Sequence, residues 1–536
     1  MKLFLKTLAA TTLTVAASSC SSFIDINNNP NNPTTQTPDF ILAQALATTA
    51  AGYTGANPNT GVSFNSYGSF VAGYWGKSGV VNGYVEERTY NYTTSYYAGL
   101  WTGTYDNLED YQLIVNQAAN GYQNHAAIAR IMRAYNYLLL VDEYGNIPYT
   151  NALQGLGNLT PSYDDAASIY MDLIVQLKQA ITDINAAASN TSARTVGAED
   201  IVFAGNMTQW KRFANSLQLR ILMRESQTNN ATLNTYVAQQ MTALQSAADG
   251  FITADVVTQP GYAQSTGQQN PFYNRYGLTI AGSSATERSY QIPTKYIIAQ
   301  YVNNNDPRVS QLYSQGSVNG TPTYLGSDLG ETSPPLFTAP VIGSRFLLGG
   351  GLLKAFNQAT PLMLLSELHF LRAEAETRGL FTGGDVAAAT DFQSGILASF
   401  LYFYRPAATA PSALPANPAT STTAGVSQYN TYIANNPTNP NVNYALATSN
   451  GSLGKQTVII YQKYLALNTV GSIEAWDDYR RTAQPPYPAS LESQISSRAD
   501  KKPTRLLYPL SETNTNASNI PAGVTNTTKI FWDVVD

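Results

Sequence analysis

Residues 161–189 read PSYDDAASIYMDLIVQLKQAITDINAAAS, and this stretch decides the fold class. Its apolar side chains recur at intervals of three and four residues, as they do on one face of a helix. They are Tyr170, Leu173, Ile174, Leu177, Ile181 and Ile184. Ser162 and Asp165 have the spacing of a capping box directly after Pro161, and Asp164 and Asp165 suit the positive end of a helix dipole. The stretch predicts an amphipathic helix that needs a packing partner on one side.

Three other segments carry apolar residues at the same spacing. They are Ile128, Ile131, Met132, Tyr135, Leu138 and Leu139; Trp210, Phe213, Ala214, Leu217 and Ile221; and Leu364, Leu368, Leu371 and Ala375. Each apolar stripe is too narrow for a helix that is buried on all sides, so antiparallel helix pairs with long loops are the simplest arrangement. Tetratricopeptide-like pairing fits, although no clean repeat of about 34 residues is visible. We expect a mainly α fold with few, short strands.

The first nineteen residues have the three-part layout of a secretory signal peptide. Lys2 and Lys6 precede an apolar stretch over residues 8–17, and small residues lead to Cys20. The stretch is shorter than the roughly 20 apolar residues that a membrane-spanning helix needs. Cys20 is the only cysteine of the chain, and its position directly after two serines predicts lipidation. The alternative is an ordinary signal peptide with a chance cysteine near its end.

Composition divides the rest of the chain. Residues 20–38 are rich in Asn and Pro, which disfavours helix and strand alike, and predict a flexible tether. Residues 39–536 are predicted to form one large domain, because nothing later resembles an interdomain linker. Within it, residues 407–441 are mostly Ala, Pro, Thr, Ser and Asn without any charge, and predict a mobile surface insertion.

The charge balance bears on the class of ligand. The formal net charge is −5, which makes nucleic acid an unlikely partner. Charged residues make up only 12% of the chain, while 36 tyrosines outnumber 18 phenylalanines. Such a polar, largely uncharged surface suits hydrogen bonding and stacking with neutral ligands, although simple adaptation to the outside of a cell explains it nearly as well.

Catalytic and metal-binding motifs are scarce. The two histidines, His125 and His369, are too few for a histidine-rich metal site and are interpreted as structural. We expect no cofactor; structural calcium stays open, because its oxygen ligands need no tight spacing in sequence. Glycoside cleavage needs two carboxylates that are close only in space. Candidates for such a pair are Glu86, Glu87, Asp477 and Asp478, although surface charge or structural ion pairs are the more common role.

Aromatic residues are dense between residues 67 and 105, among Gly, Ser, Thr and Asn. A sugar ring has an apolar face and a rim of hydroxyls, so flat rings beside amides complement it. The predicted stacking residues are Tyr74, Trp75, Tyr84, Tyr90 and Tyr92, with Asn82 and Arg88 as hydrogen-bonding partners. Tyr273, Arg275 and Tyr276 belong to a second cluster of the same kind. Half or more of these rings could instead fill the core under long loops, which we expect for Trp101.

Several blocks, in this order along the chain, resemble the SusD/RagB family of outer-membrane lipoproteins. They are residues 25–33, 130–135, 144–149, 210–217, 305–308, 367–375, 462–464, 474–476 with Arg480 and Arg481, and 505–509. No single block is diagnostic, but their order and spread cover nearly the whole mature chain. Most of these blocks lie at predicted helices or helix ends, so the resemblance supports the fold and says little about the ligand. Trp476, Arg480 and Arg481 are accordingly interpreted as structural.

The resemblance implies four tetratricopeptide-like helix pairs with an irregular ligand face. It also implies a lipid anchor at the outer membrane that faces the cell exterior, and a partner, a SusC-like TonB-dependent transporter. Members of the family capture an oligosaccharide or a peptide at the surface and close over the transporter before import. We expect capture without catalysis. The alternatives are a surface glycan-hydrolysing enzyme and a structural or adhesive surface lipoprotein.

Overall fold

The computed structural model describes residues 36–57 and 60–534. The predicted signal peptide, Cys20 and most of the predicted tether lie outside these residues. The predicted fold class is confirmed, because the described chain is mainly helical, with short strands and long connections. One buried apolar cluster draws on residues from Ile41 to Trp532 and therefore includes residues from both halves of the described chain.

The helices are numbered in chain order. They are α1 Pro38–Thr54, α2 Phe64–Val71, α3 Val85–Thr89, α4 Ala98–Val115, α5 Gln123–Tyr144, α6 Ala166–Ala187, α7 Met207–Arg224, α8 Ala231–Gln245, α9 Pro271–Tyr276, α10 Lys295–Asn303, α11 Val309–Leu312, α12 Leu365–Thr377, α13 Gly384–Tyr404, α14 Val426–Asn435, α15 Lys455–Leu467, α16 Ser472–Thr482 and α17 Leu510–Thr515. All four predicted helical segments are confirmed, as α6, α5, α7 and α12.

The start of α6 differs from the predicted capping box. Asp165 is the N-cap residue, and its carboxylate accepts a hydrogen bond from the Ser168 amide at 3.0 Å. Ser162 takes no part, because the chain is still extended at Tyr163–Asp164, where it pairs with Ile147–Pro148. The Asp164 carboxylate binds the Tyr149 amide instead of the helix end, at 2.9 Å.

Contacts along α4 and α5 show that these helices run antiparallel. The Trp101 ring lies 5.0 Å from the Tyr144 ring, and one turn later the Tyr105 ring lies 6.3 Å from the Tyr137 ring. The contact that is later along α4 is therefore earlier along α5, as in an antiparallel pair. Trp101 is buried, as the sequence predicted.

The same reversal relates α12 to α13, because His369 contacts Asp391 and, further along α12, Thr377 contacts the earlier Asp385. Two further pairs are in contact, α6 with α7 through Asn185 and Lys211, and α15 with α16 through Lys463 and Asp478. Together with α4 and α5, they make four helix pairs, the number that the resemblance implied.

The helix pairs meet at a buried set of charged side chains, called here the helix-junction network. It comprises Asp142, Glu143, Arg220, Arg224, Glu367, Glu374, Lys463, Glu474, Asp477, Asp478, Arg480 and Arg481. Arg220 donates two parallel hydrogen bonds to Glu367, at 2.7 and 2.8 Å. Charged groups remain ionised in such a dry place only when each has an opposite partner. The network ties α5, α7, α12, α15 and α16 together.

The structural interpretation of three residues is confirmed by this network. Arg480 donates to Glu143 at 2.7 Å and lies over the Trp476 ring, 5.3 Å from its centroid. Arg481 donates to Glu374 at 2.7 Å. All three side chains, Trp476, Arg480 and Arg481, are buried among the helices and face no ligand surface.

The strands form small sheets. They are β1 Trp75–Lys77, β2 Ile147–Pro148, β3 Tyr163–Asp164, β4 Val256–Thr258, β5 Gln291–Pro293, β6 Tyr313–Ser314, β7 Gly316–Val318, β8 Thr321–Thr323, β9 Phe337–Thr338, β10 Val341–Ile342, β11 Arg345–Phe346 and β12 Thr360–Met363. The antiparallel pairs are β1 with β5, β2 with β3, β4 with β12, and β6 with β11, while β8, β7, β10 and β9 make a four-stranded sheet in that order. Residues 75–85, 286–293 and 313–346 together form an irregular surface, called here the loop face.

The predicted insertion at residues 407–441 needs a partial correction. Its second half contains α14, in which Val426 and Tyr432 are fully buried, and the Tyr432 hydroxyl accepts a hydrogen bond from Gln462 at 3.1 Å. Apolar residues at helical spacing inside an Asn- and Thr-rich segment account for the difference. Residues 407–425 are largely exposed, as expected for a surface segment. Across the described ranges, no helix is long and apolar enough to cross a bilayer.

Candidate ligand-binding site

The predicted stacking residues Tyr74 and Trp75 are fully buried. The Tyr74 ring stacks on the Tyr464 ring at 4.4 Å, and its hydroxyl donates to the Tyr464 carbonyl at 2.6 Å. The Trp75 indole N–H donates to the Thr469 hydroxyl at 2.9 Å. Neither ring has a free face for a sugar, so the prediction of stacking is wrong for both in this conformation.

The same correction applies to Tyr90, Tyr92, Tyr273 and Tyr276, which are all buried. Tyr92 stacks on Tyr96 at 4.4 Å, within a layer of rings beneath the surface. Burial raises the pKa of Tyr90, Tyr92 and Tyr276, as expected for phenols that are removed from water. The rings are buried because long loops with few aliphatic residues must supply their own apolar core, and aromatic side chains bury the most area per residue.

The structure joins the two aromatic clusters of the sequence into one layer. Pairing of β1 with β5 brings Trp75 opposite Pro293. The Trp75 ring then lies 5.2 Å from the Tyr276 ring and 5.6 Å from the Phe346 ring. These buried rings lie beneath the exposed residues of the loop face and connect it to Tyr276 of α9.

Four of the predicted site residues are at least partly exposed. Asn82 is exposed, and Tyr84 is half-buried, with its hydroxyl accepting a hydrogen bond from Gln291 at 2.6 Å. Arg88 forms an ion pair with Glu492. Arg275, the fourth, belongs to the groove described next, and the binding roles of all four stay predictions.

A groove with a volume of 870 Å³ runs between α1 and residues 260–275 and is called here the amide groove. Its polar walls include Gln44, Asn57, Gln268, Asn274, Arg275 and Glu287. At its rim Arg275 donates to the Glu287 carboxylate at 2.8 Å and also to the Gly61 carbonyl. The nearby Tyr276 ring and Glu287 raise the pKa of Arg275 against the opposing effect of burial, so its charge is retained.

Local hydrogen bonds hold the wall of the amide groove. The Gln259 side chain accepts from the Tyr262 amide at 3.1 Å and turns the chain. The Tyr262 hydroxyl lies 3.0 Å from the Thr360 hydroxyl, on β12. Asn270 caps α9 by accepting from the Tyr273 amide at 3.0 Å. This irregular segment is therefore held by its own amides and hydroxyls.

Aromatic density in the sequence does not point to the amide groove, because amides make up most of its polar walls. The signal that could have revealed it is the run Gln268, Gln269 and Asn270 directly before α9. Amide side chains supply both donors and acceptors, and neutral hydroxyl-rich ligands need both. The chemistry that the groove offers is hydrogen bonding without a strong net charge at its floor.

The candidate catalytic carboxylates do not line the amide groove. Asp477 is paired with Arg224 at 2.9 Å, and Asp478 is paired with Lys463 at 2.8 Å, inside the helix-junction network. Their interpretation as structural ion pairs is confirmed.

The other pair, Glu86 and Glu87, belongs to α3 and does not line the amide groove. Burial raises the pKa of Glu87 to about 7. The Glu86 carboxylate accepts a hydrogen bond from Thr93 at 3.0 Å.

Both histidines have carboxylate partners. His125 lies 3.0 Å from Glu199, and His369 lies 2.6 Å from Asp391. In the part of the chain that the structure describes, no group of three or more His, Cys, Asp or Glu side chains is arranged to hold a metal ion. Calcium stays an open expectation.

Comparison with known proteins gives a consistent result. The sequence profile of a SusD-like family, described as starch-binding and associating with the outer membrane, matches residues 30–509. A solved SusD-like protein from Bacteroides thetaiotaomicron is 21% identical, with a TM-score of 0.70 over 92% of this chain and 99% of that chain. A chitin-binding SusD homolog from Flavobacterium johnsoniae is 19% identical, with a TM-score of 0.68 over 92% and 98%.

A further solved structure, named a chitin-binding protein, is 23% identical, with a TM-score of 0.68 over 93% of this chain and 100% of that chain. None of the curated protein sequences matches this chain. At these identities the solved structures show a shared fold.

Proposed function

This chain belongs to the SusD/RagB family of SusD-like proteins, and from that premise we propose that it captures an oligosaccharide at the cell surface and delivers it to a transporter. The partner is a SusC-like TonB-dependent transporter in the outer membrane. Lipid on Cys20 anchors the protein there, facing the cell exterior. The protein binds its ligand without converting it to a product. A peptide ligand is the alternative, and the titration described below distinguishes it from a glycan.

The observation that carries the proposal is the amide groove. Its volume of 870 Å³ accommodates several sugar units, and its walls present amides, an arginine and a carboxylate beside apolar side chains. A sugar has both a rim of hydroxyls and an apolar ring face, so walls of this mixed kind complement it. The family description as starch-binding and the chitin-binding relatives point to the same ligand class.

Capture beside a transporter needs only moderate affinity. A tether raises the effective concentration of a bound ligand near the barrel, so tight binding is unnecessary and would slow release. This accounts for a groove that hydrogen-bonds its ligand from two walls without enclosing it.

The test is isothermal titration of residues 21–536 against neutral oligosaccharides and short peptides, with product analysis of the same mixtures. We expect saturable binding of a glycan, at micromolar to millimolar Kd, and no new product. Gln268→Ala and Asn274→Ala each remove one groove amide and should weaken binding about three- to tenfold, the value of one hydrogen bond. Gln179→Ala removes an exposed amide on α6 and should leave binding unchanged.

Other outcomes of this titration discriminate between the proposals. Binding of peptides alone would move the ligand class to peptide. Appearance of shorter glycans would establish an enzyme. Absence of binding to every compound at millimolar concentration would overturn capture of neutral glycans and peptides by the isolated protein.

A further inference from the structure

Two arginines of the loop face are neighbours without an acidic partner. The strand β11, which carries Arg345, packs against the turn Thr286–Ser289, which carries Arg288. Within residues 36–57 and 60–534, neither guanidinium group forms an ion pair. Burial and the positive charge of Arg288 lower the pKa of Arg345, which reports that the two charges repel each other.

The Arg345 side chain is held in place by an aromatic ring. Its guanidinium carbon lies 3.7 Å from the centroid of the Phe337 ring, a close cation–π contact. The ring covers one face of the guanidinium plane, so the N–H groups at its edge are the part left for a ligand. In the described chain, the Arg345 side chain donates no hydrogen bond to a protein acceptor.

Arg288 carries unsatisfied donors. Its Nε and Nη1 atoms are shielded from solvent and have no hydrogen-bond acceptor within the described residues. A buried donor without an acceptor costs about 1–3 kcal/mol, and a charged one costs more. The arrangement is therefore unfavourable for folding alone, and an anion that bridges both guanidinium groups would relieve the repulsion and supply acceptors.

One arginine of the pair lies next to the amide groove along the chain. Glu287 lines the groove and pairs with Arg275, while Arg288 is the following residue on the same turn. A ligand that extends from the groove past Glu287 would meet this turn, against which β11 with Arg345 packs. The rest of the protein has an excess of negative charge, so this positive spot is not a general property of the surface.

We propose that Arg288 and Arg345 form a subsite for an acidic group of the glycan, a carboxylate or a sulfate, at the end of the amide groove. This inference rests on the proposed function and narrows its substrate class to acidic oligosaccharides. Guanidinium groups bind both kinds of oxyanion through paired hydrogen bonds, so the two sources share one chemistry.

The test compares matched acidic and neutral ligands by titration at low salt. One pair is an oligogalacturonate and its methyl ester, and the other is a sulfated galactan oligosaccharide and its desulfated form. We expect the acidic member of one pair to bind at least about tenfold more tightly, the effect of one charge-assisted interaction. Which pair shows the preference identifies carboxylate or sulfate.

Two variants assign the preference to the subsite. Arg345→Gln and Arg288→Gln should each remove most of the preference while leaving the neutral ligand within about twofold. The matched control is Arg194→Gln, because Arg194 also lies over a tyrosine ring, that of Tyr122 at 4.6 Å, but does not line the groove. Thermal unfolding of each variant checks that it is folded.

The possible failures are distinguishable. Equal binding of acidic and neutral members, or a preference that survives both substitutions, overturns the subsite and leaves glycan capture intact. Lack of binding to all four oligosaccharides and to the neutral panel overturns capture and the subsite together.

Discussion

The arginines of the helix-junction network and the arginines of the loop face have opposite surroundings. Arg224 is in contact with the carboxylates of Asp142, Glu474 and Asp477. Within the described residues, Arg288 and Arg345 form no ion pair, and Arg345 lies over the Phe337 ring. Paired charges at a helix junction hold the packed helices together, whereas charges without a protein partner can bind a group from outside the chain. The difference separates residues that hold the fold from residues available for binding.

The largest effect is expected from breaking the network. Arg224→Met removes one ion-pair partner from each of three buried carboxylates and leaves Asp142 without another within the described chain, so it should lower the free energy of unfolding by about 3–5 kcal/mol. Urea unfolding followed by circular dichroism measures it. A loss below about 1 kcal/mol would show that the network is not the anchor of the helix pairs.

A smaller, pH-dependent effect is expected at Glu225, the exception within the helix junction. Burial raises the pKa of this carboxyl to about 8, and neither of its oxygens has a hydrogen-bond partner within the described chain. Its ordinary pKa in the unfolded chain is about 4.3, so the folded protein loses stability as pH rises from about 4 to 8.

Glu225→Gln removes that loss. It should raise the free energy of unfolding by up to about 4 kcal/mol at pH 8 and change it much less at pH 4.5, where the carboxyl is largely protonated in the folded state. Parallel urea titrations at the two pH values measure the difference. The same change at both values would contradict the assignment to ionisation.

The ion pair of Arg88 with Glu492 lies between the two extremes. Its side chains are 17% and 37% exposed, so water and salt screen the attraction. Arg88→Gln should lower the free energy of unfolding by no more than about 1 kcal/mol, and less in 0.5 M salt than at low salt. If the free energy of unfolding fell by several kcal/mol at both salt concentrations, this pair would behave like the buried pairs of the helix-junction network.

The smallest effect on stability is expected at Arg345. Its positive charge repels Arg288, so Arg345→Gln should leave the free energy of unfolding within about 0.5 kcal/mol of the parent or raise it slightly. Thermal and urea unfolding measure this alongside the binding titration. Strong destabilisation would mean that Arg345 supports the fold. It would contradict the distinction between arginines that stabilise the fold and arginines that bind a ligand.

The helices could be predicted from sequence because their signal is local. The apolar spacing from Tyr170 to Ile184 needs only a window of about 15 residues, and α6 formed where the spacing predicted. The two-residue strand Tyr163–Asp164, just before that helix, was not predicted. Its pairing with Ile147–Pro148 depends on a contact that the local pattern does not contain.

The ligand surface was predicted less well for a physical reason. A tyrosine in a loop has the same sequence signal whether its ring faces a ligand or the core, and Tyr74 and Trp75 face the core. The groove amides Gln268 and Asn274 are polar residues that have the same sequence signal at any exposed position. Arg288 and Arg345 are 57 positions apart, and only the folded loop face brings them together.

Hydrogen–deuterium exchange of residues 21–536, with and without the glycan that binds in titration, tests the central claim most directly. We predict slower exchange on binding in residues 259–275 and 286–290, with little change in α6 and α7. Slower exchange confined to the helix pairs, with none in those two segments, would contradict the amide groove as the binding site.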